Sequence, residues 1–280
     1  MTLPGTGPAG QPLELAATDL TVAYGDRPVI DGLSVTIPAG QVTAVVGANA
    51  CGKSTLLKAL ARLLKPRGGT VTLDGQSIHS MRTGEVAQRL GILPQAPVAP
   101  EGLTVLDLVS RGRAPHQAWW RQWGGTDEHA VTDALAATGM LEHAGRMVDE
   151  LSGGQRQRAW IAMAVAQDTQ VLLLDEPTTF LDLAHQIDVL DLVVDLNRRR
   201  GRTVVMVLHD LSHACRYADH LIAMKGGRIV AQGPPTAIVD EALVEDVFGL
   251  RSRVMPDPVS NTPLVIPIGR HHHVAEPSST

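Results

Sequence analysis

One octapeptide, Gly47-Ala-Asn-Ala-Cys-Gly52-Lys53-Ser54, limits what this chain can fold into more than any other segment, because it fits the phosphate-loop pattern G-x-x-x-x-G-K-[ST]. Such a loop works between a buried strand and a helix. Its glycines let successive backbone N–H groups face one anion, and the helix adds the positive end of its dipole. Both flanks are present: residues 42–46 are a short apolar run, and Leu56, Leu57, Leu60, Leu63 and Leu64 recur at helical spacing over residues 54–64. In this context Lys53 is expected to neutralise the β- and γ-phosphates of a nucleotide. Ser54 is expected to place its hydroxyl on Mg²⁺, a hard ion that takes few protein ligands.

Two further segments bear on the same chemistry. Val171-Leu-Leu-Leu-Asp175-Glu176-Pro177 ends an apolar strand with two carboxylates, at the end where open α/β sheets bind their ligands. Asp175 is expected to hold the Mg²⁺ shell, and Glu176 to orient or deprotonate the water that attacks the γ-phosphate in line. Leu151-Ser152-Gly153-Gly154-Gln155 opens a helix with Ser152 as its N-cap, and the two glycines leave the first backbone donors uncovered. One chain thus carries two helix starts suited to phosphate but a single phosphate-loop lysine. Spacing leaves open whether the second start is an ordinary cap or serves a nucleotide held by another subunit.

The rest of the pattern is α/β. Residues 15–22, 33–37, 70–73, 90–93, 171–174 and 203–208 read as strands, and 183–200 as the helix joining the last two. From 104 to about 144 the strands give way to Ala/Leu-rich helical segments broken at 113–125, and another helix runs from Ser152 to about Gln167. This reads as a helical subdomain inserted in the α/β core. The expected organisation is a loose tail over 1–12, one domain over 13–255 with the helical insert at about 96–165, and a Pro- and His-containing tail over 256–280 that includes His271, His272 and His273.

The order of phosphate loop, Leu-Ser-Gly-Gly-Gln, Leu-Leu-Asp-Glu-Pro and then His209 after the next strand resembles the ATPase subunit of ATP-binding-cassette (ABC) transporters, over about residues 13–230. The resemblance implies a P-loop NTPase fold, an ABC nucleotide-binding domain with an antiparallel β subdomain and an inserted helical subdomain, with ATP as substrate and Mg²⁺ as cofactor. It implies that Gly47, Ala48, Asn49, Ala50, Cys51, Gly52, Lys53, Ser54 and Thr55 hold ATP and that Tyr24 stacks on adenine. Lys53, Glu176 and His209 become the catalytic set, His209 stabilising the γ-phosphate, while Ser54, Gln95 and Asp175 serve the metal. Gln95 also links that site to the helical subdomain. Ser152, Gly153, Gly154 and Gln155 contact the ATP of the other subunit in a head-to-tail homodimer, and Asp182 lies in the loop between the two sites. The family's loops usually carry Pro and Gly where this chain has Ala48 and Ala50, and Ala50 is compatible only if that position avoids positive φ.

A narrower resemblance lies outside the nucleotide site. Glu176-Pro-Thr-Thr-Phe-Leu-Asp182-Leu-Ala-His-Gln186, with Arg111-Gly-Arg-Ala-Pro-His-Gln117, is similar to the ATPases of importers for ferric siderophores, haem and cobalamin. Uptake of a ferric siderophore is the preferred member of that group. The implied partners are a second copy of the chain, transmembrane permease subunits and, indirectly, an extracytoplasmic solute-binding protein; Trp119, Trp120 and Trp123 are candidates for the permease-facing surface.

Composition narrows the rivals. With 24 Lys+Arg against 29 Asp+Glu, a net charge of −5 and 3% aromatics, the chain lacks the basic stacking surface of a general nucleic-acid binder. Cys51 and Cys215 lack metal-site spacing and are expected as free thiols. No apolar run approaches the roughly 18–20 residues that span a bilayer, and the opening residues do not read as a secretory signal, so a cytoplasmic protein peripheral to the inner membrane face is expected. A soluble cassette ATPase and a small-molecule kinase remain the alternatives. A kinase has no need of the segment at 151–155, and Lys53, Asp175, Glu176 and His209 together disfavour a catalytically silent cassette.

Overall fold

The computed structural model describes residues 12–117 and 123–270. The chain opens with β1 (Leu15–Tyr24) and β2 (Arg27–Ile37), then runs through β3 (Val42–Gly47) into α1 (Lys53–Leu60). β4 (Gly68–Leu73), β5 (Gln76–Ser77), α2 (Thr83–Arg89) and β6 (Leu90–Leu93) follow. The long connection from β6 contains α3 (Val105–Ser110), α4 (Gly125–Ala137) and α5 (Gly153–Ala166), which leads to β7 (Val171–Asp175). Then come α6 (Leu183–Arg200), β8 (Thr203–Val207), α7 (Leu211–Tyr217), β9 (His220–Lys225), β10 (Arg228–Gly233), α8 (Pro235–Ile238), α9 (Glu241–Phe248), β11 (Ser252–Pro256) and β12 (Pro263–Pro267).

The central sheet has the order β10-β9-β3-β8-β7-β6, parallel throughout except where β10 pairs antiparallel with β9. Its inner strands are covered on both faces, and the period of two divides their side chains between two cores. Val42, Ala44 and Val46 of β3, Leu172 and Leu174 of β7, and Val204 and Met206 of β8 pack on the side of α5 and α6. Val45, Val171, Leu173, Val205 and Val207 point the other way, toward α1 and the antiparallel sheet β2-β1-β4-β5. Each buried Leu or Val contributes about 1.5–3 kcal/mol, so these strands read as continuous apolar runs because neither face can be polar. All parallel strands bring their carboxyl ends to one edge, and that edge carries the site.

The insert is fastened to this frame by a charge it buries. Arg113, in a 3-10 turn over Arg111–His116, donates to Asp127 of α4 at 3.0 Å and to the Ala166 carbonyl at 2.8 Å, with both charged side chains buried. Gly112 is required beside it, since a Cβ there would lie 2.2 Å from the Met163 carbonyl oxygen. The Arg-Gly-Arg-Ala-Pro-His motif therefore holds the insert on α5. Of the aromatic cluster only Trp123, which is exposed, lies within the described residues; Trp119 and Trp120 lie outside them.

Three expectations change. The helix after the phosphate loop ends at Leu60 instead of Leu64, because Arg62 turns left-handed at φ 62° and leaves Leu63 in solvent. A hairpin not expected from the sequence, β9–β10, turns on Gly226 and Gly227, both at positive φ as a two-residue hairpin loop requires. The expected tail from 256 is corrected for residues 256–267, which fold back as the β11–β12 hairpin, with Pro256, Pro263 and Pro267 at strand ends and Pro258 in the turn. That hairpin is pinned to α7 at two points: Val265 N–H donates to the Ser212 hydroxyl at 3.2 Å, and Arg216 pairs with Asp257. His271, His272 and His273 lie outside the described residues.

The Arg216 guanidinium and the N–H groups of Val259 and Ser260 hold the Asp257 carboxyl below its usual range. A depressed carboxyl stabilises the fold above its unfolded pKa of about 3.9, and the contribution disappears as pH falls through the lower folded value. Asp257→Ala should therefore lower the thermal midpoint at pH 7, and the difference from wild type should shrink below about pH 4. Thermal melts at both pH values check this.

Candidate nucleotide-binding site

The phosphate loop is built where backbone meets backbone. Gly47 has φ 151°, and a Cβ there would sit 2.2 Å from the Met224 carbonyl oxygen at the end of β9, so no side chain fits. Gly52 enters α1 at φ 106°, and the Gly227 N–H donates to the Cys51 carbonyl at 2.9 Å. Gly227 itself lies against β2, where its Cβ would be 2.1 Å from the Val29 carbonyl oxygen. Loop, β9–β10 turn and antiparallel sheet thus brace one another. Ala50 has φ 60°, which corrects the expectation that it avoids positive φ. The loop keeps its shape with an alanine there, at a left-handed penalty of roughly 1–2 kcal/mol.

Lys53 is buried at 5% exposure and folds back over the loop, donating to the carbonyls of Gly47 at 2.8 Å and Ala48 at 3.0 Å. The cation is thereby held at the mouth of the anion cradle. Ser54 donates its hydroxyl to Asp175 Oδ1 at 2.8 Å, joining the first turn of α1 to the end of β7. Burial pushes the Asp175 carboxyl above its ordinary value, while the Ser54 hydroxyl, Lys58 and Lys53 oppose that. Two hard oxygen ligands side by side in the same pocket suit a magnesium ion whose other positions are filled by water and phosphate.

Glu176 leaves β7 in the left-handed region, at φ 54°. Its carboxylate is ringed: His209 Nε2 lies 2.7 Å from Oε1, Gln95 donates to Oε2 at 2.5 Å, and the Thr179 hydroxyl donates to Oε2 at 3.1 Å. Gln95 arrives because β6 pairs beside β7, and His209 because β8 flanks it on the other side. Sequence reasoning named three members of this ring and missed Thr179, whose only signal is its place three residues after Glu176 in the turn, where its N–H also bonds the Glu176 carbonyl.

The structure does not bring the second helix start into this ring: no hydrogen bond among the described residues joins Ser152, Gly153, Gly154 or Gln155 to the phosphate loop. Ser152 caps α5 through a capping box, its hydroxyl accepting from Gln155 N at 3.3 Å while Gln155 Oε1 accepts from Ser152 N at 3.2 Å. Asp182 caps α6, accepting from His185 N at 3.0 Å, and it meets His185 Nδ1 at 2.6 Å. These bonds hold the Asp182 carboxyl below its usual range. Tyr24 closes β1 beside the β2 strand that carries Val29, with half of its surface exposed. Cys51 and Cys215 are free and buried.

A phosphate loop with a buried lysine, a serine–aspartate oxygen pair and a ringed glutamate define a nucleotide-binding ATPase cassette. Residues 30–179 match the family described as ABC transporter, and the chain belongs to that family. It is 57% identical over 255 residues to the petrobactin import ATP-binding protein FpuD of Bacillus anthracis, covering 91% of this chain and 93% of that protein. It is 54% identical over 256 residues to the ferric enterobactin transport ATP-binding protein FepC of Escherichia coli (strain K12), covering 91% and 94%. Among solved structures, the inward-facing conformation of a metal-chelate type ABC transporter aligns with TM-score 0.80 at 28% identity, over 92% of this chain and 98% of that one. A dimeric bacterial ABC transporter cassette aligns with TM-score 0.69 at 26% identity, over 79% and 98%.

Because Ala50 is left-handed, Ala50→Gly should remove the penalty and lose part of the gain to unfolded-state entropy, a net stabilisation of up to about 1 kcal/mol. Ala50→Val, with its branched Cβ, should destabilise. Denaturant titration of both variants reads the sign.

Proposed function

We propose that this chain is the ATP-hydrolysing subunit of an importer for ferric siderophores, and that two copies close head-to-tail around two ATP·Mg²⁺. The observation that carries the two-chain reading is the separation within one chain. The phosphate loop meets Asp175 through Ser54, next in the chain to the ringed Glu176, whereas no hydrogen bond among the described residues joins the capped start of α5 to any of them. Phe180 at 96% exposure and Leu183 at 68% lie on the segment between Glu176 and α6, and apolar groups so exposed suit a surface that a second copy covers. The cargo rests on the relatives, whose names include petrobactin and ferric enterobactin transport.

In this reading ATP draws Lys53 from the Gly47 and Ala48 carbonyls to the β- and γ-phosphates. Gly47, Ala48, Asn49, Ala50, Cys51, Gly52, Ser54 and Thr55 wrap the phosphates, and Tyr24 covers the base. Ser54, Asp175 and Gln95 hold Mg²⁺, which supplies charge neutralisation for the developing phosphate charge. Glu176 orients the attacking water and accepts its proton. The water oxygen bonds to the γ-phosphorus as the bond to the β–γ bridging oxygen breaks, giving ADP and phosphate. His209 turns from Glu176 to the γ-phosphate, and the donors at Ser152, Gly153 and Gly154 of the partner copy complete the shell. ATP touches both copies only in the closed pair, so it favours closure, and hydrolysis removes the bridge. That cycle acts on permease subunits at the inner membrane face, fed by an extracytoplasmic binding protein. No helix among the described residues is long and apolar enough to cross a membrane, which fits a subunit that relies on a separate permease.

Two experiments test this. Glu176→Gln should bind ATP with affinity within a few fold of wild type, lower turnover by about 10²–10⁴ and accumulate closed dimer; ordinary turnover would remove Glu176 from its role. Cells carrying Lys53→Ala should lose uptake of labelled ferric siderophore but retain that of haem and cobalamin. Intact siderophore uptake with lost ATPase activity would move the cargo elsewhere.

A further inference from the structure

The two segments that the proposed function assigns to opposite ATP sites touch each other within one chain, at His185. We propose that His185 is a positioning residue that locks the Asp182 loop onto the glycines at the start of α5. The segment that carries Glu176 in one site thereby sets the γ-phosphate donors of the other. The inference rests on the two-chain reading above.

The contact is tight on both sides of the ring. Asp182 Oδ1 accepts from the His185 backbone N–H at 3.0 Å and meets ring Nδ1 at 2.6 Å, so one carboxylate oxygen fixes both the start of α6 and the orientation of the imidazole. The other ring edge fills the space that a side chain at Gly154 would need: an ideal Cβ there would lie 2.2 Å from Cδ2, 2.7 Å from Cγ and 3.0 Å from Nε2. These are atoms of a planar ring already held by Asp182, not the tip of a flexible chain. The space normally taken by a Cβ is thus taken by His185, and α5 cannot start closer to α6 without moving Asp182.

The other end of the link reaches Glu176. Thr179 N–H donates to the Glu176 carbonyl at 3.3 Å, and Leu181 N–H to the Thr178 carbonyl at 3.4 Å. The Leu181 carbonyl in turn accepts from the Gln186 side chain at 2.9 Å. With Glu176 and Phe180 both left-handed, this turn has little freedom to relax locally. A shift of Glu176 therefore travels through Leu181 and Asp182 to His185 and onto Gly154. An ornamental cap histidine would make the Asp182 contact alone; the absence of a Cβ at Gly154 is matched to the ring.

The test uses the full chain carrying Glu176→Gln, in which ATP-dependent dimerisation is read by light scattering. Adding His185→Ala should raise the ATP concentration for half-maximal dimer by about tenfold, the scale of one hydrogen bond to a charged group. ADP affinity of the unassembled chain should stay within about twofold, since its own phosphate loop is untouched. His185→Asn, whose side-chain nitrogen can stand where Nδ1 stands but which leaves the space beside Gly154 unfilled, should recover little of the loss. Dimerisation unchanged by His185→Ala overturns the proposal while leaving the two-chain reading intact. ADP affinity and thermal midpoint falling in step with dimerisation overturn it as well, because they mark a general packing role, and so does a His185→Asn variant that dimerises like wild type, because the Asp182 contact alone would then suffice. If Glu176→Gln alone forms no ATP-dependent dimer, the two-chain reading fails and takes this inference with it.

Discussion

The structure depends on three places where one backbone packs directly against another: Gly47 on the Met224 carbonyl, the Gly227 N–H on the Cys51 carbonyl, and Gly227 on the Val29 carbonyl. Together they tie the phosphate loop to β9, to the β9–β10 turn and to the antiparallel sheet. An anion cradle made of N–H groups is useful only if its dipoles are already aligned when the anion arrives. Here the alignment comes from neighbours that leave no room for a side chain. The same bracing lets Ala50 sit in a left-handed conformation that an isolated turn would avoid.

Around that cradle the parallel sheet does the remaining positioning. Because β6, β7 and β8 are adjacent and parallel, Gln95, Glu176 and His209 leave the same edge and meet without any of them being close in the chain. Ser54 reaches Asp175 from the first turn of α1, although β8 lies between β3 and β7 in the sheet. The order of elements is therefore also the order of groups at the site: helix α1 brings Lys53 and the Ser54 hydroxyl, β7 brings the two carboxylates, and the strands on either side bring the groups that hold Glu176.

Elements with strong local chemistry are legible in the amino-acid sequence itself. The span of α6 follows from Asp182 at one end and Gly201 at the other, and the buried strands from runs that neither face could interrupt with charge. Contacts that depend on distant segments are not legible there. Thr179 looks like any turn threonine until the Glu176 carboxylate is placed beside it, and Gly154 looks like a flexible cap residue until His185 is seen in the space of its missing Cβ. Two hairpins did carry local signals, and these were outweighed. Gly226 and Gly227 mark a two-residue turn, and Pro256, Pro263 and Pro267 read as breakers although a proline at the end of a strand interrupts nothing.

The central claim is that each ATP is held by the phosphate loop of one copy and the start of α5 of the other, and mixing two defective chains tests it most directly. Lys53→Ala disables the loop, and Ser152→Ala combined with Gly153→Asp, at a glycine whose Cβ would meet nothing nearer than Leu181 at 4.0 Å, disables the other half. Mixed, they should rebuild one complete site per pair, so filter-bound labelled ATP in the presence of vanadate should be retained by the mixture and by neither variant alone. A mixture that retains no more than its components would contradict the shared site, and would return both halves to a single chain.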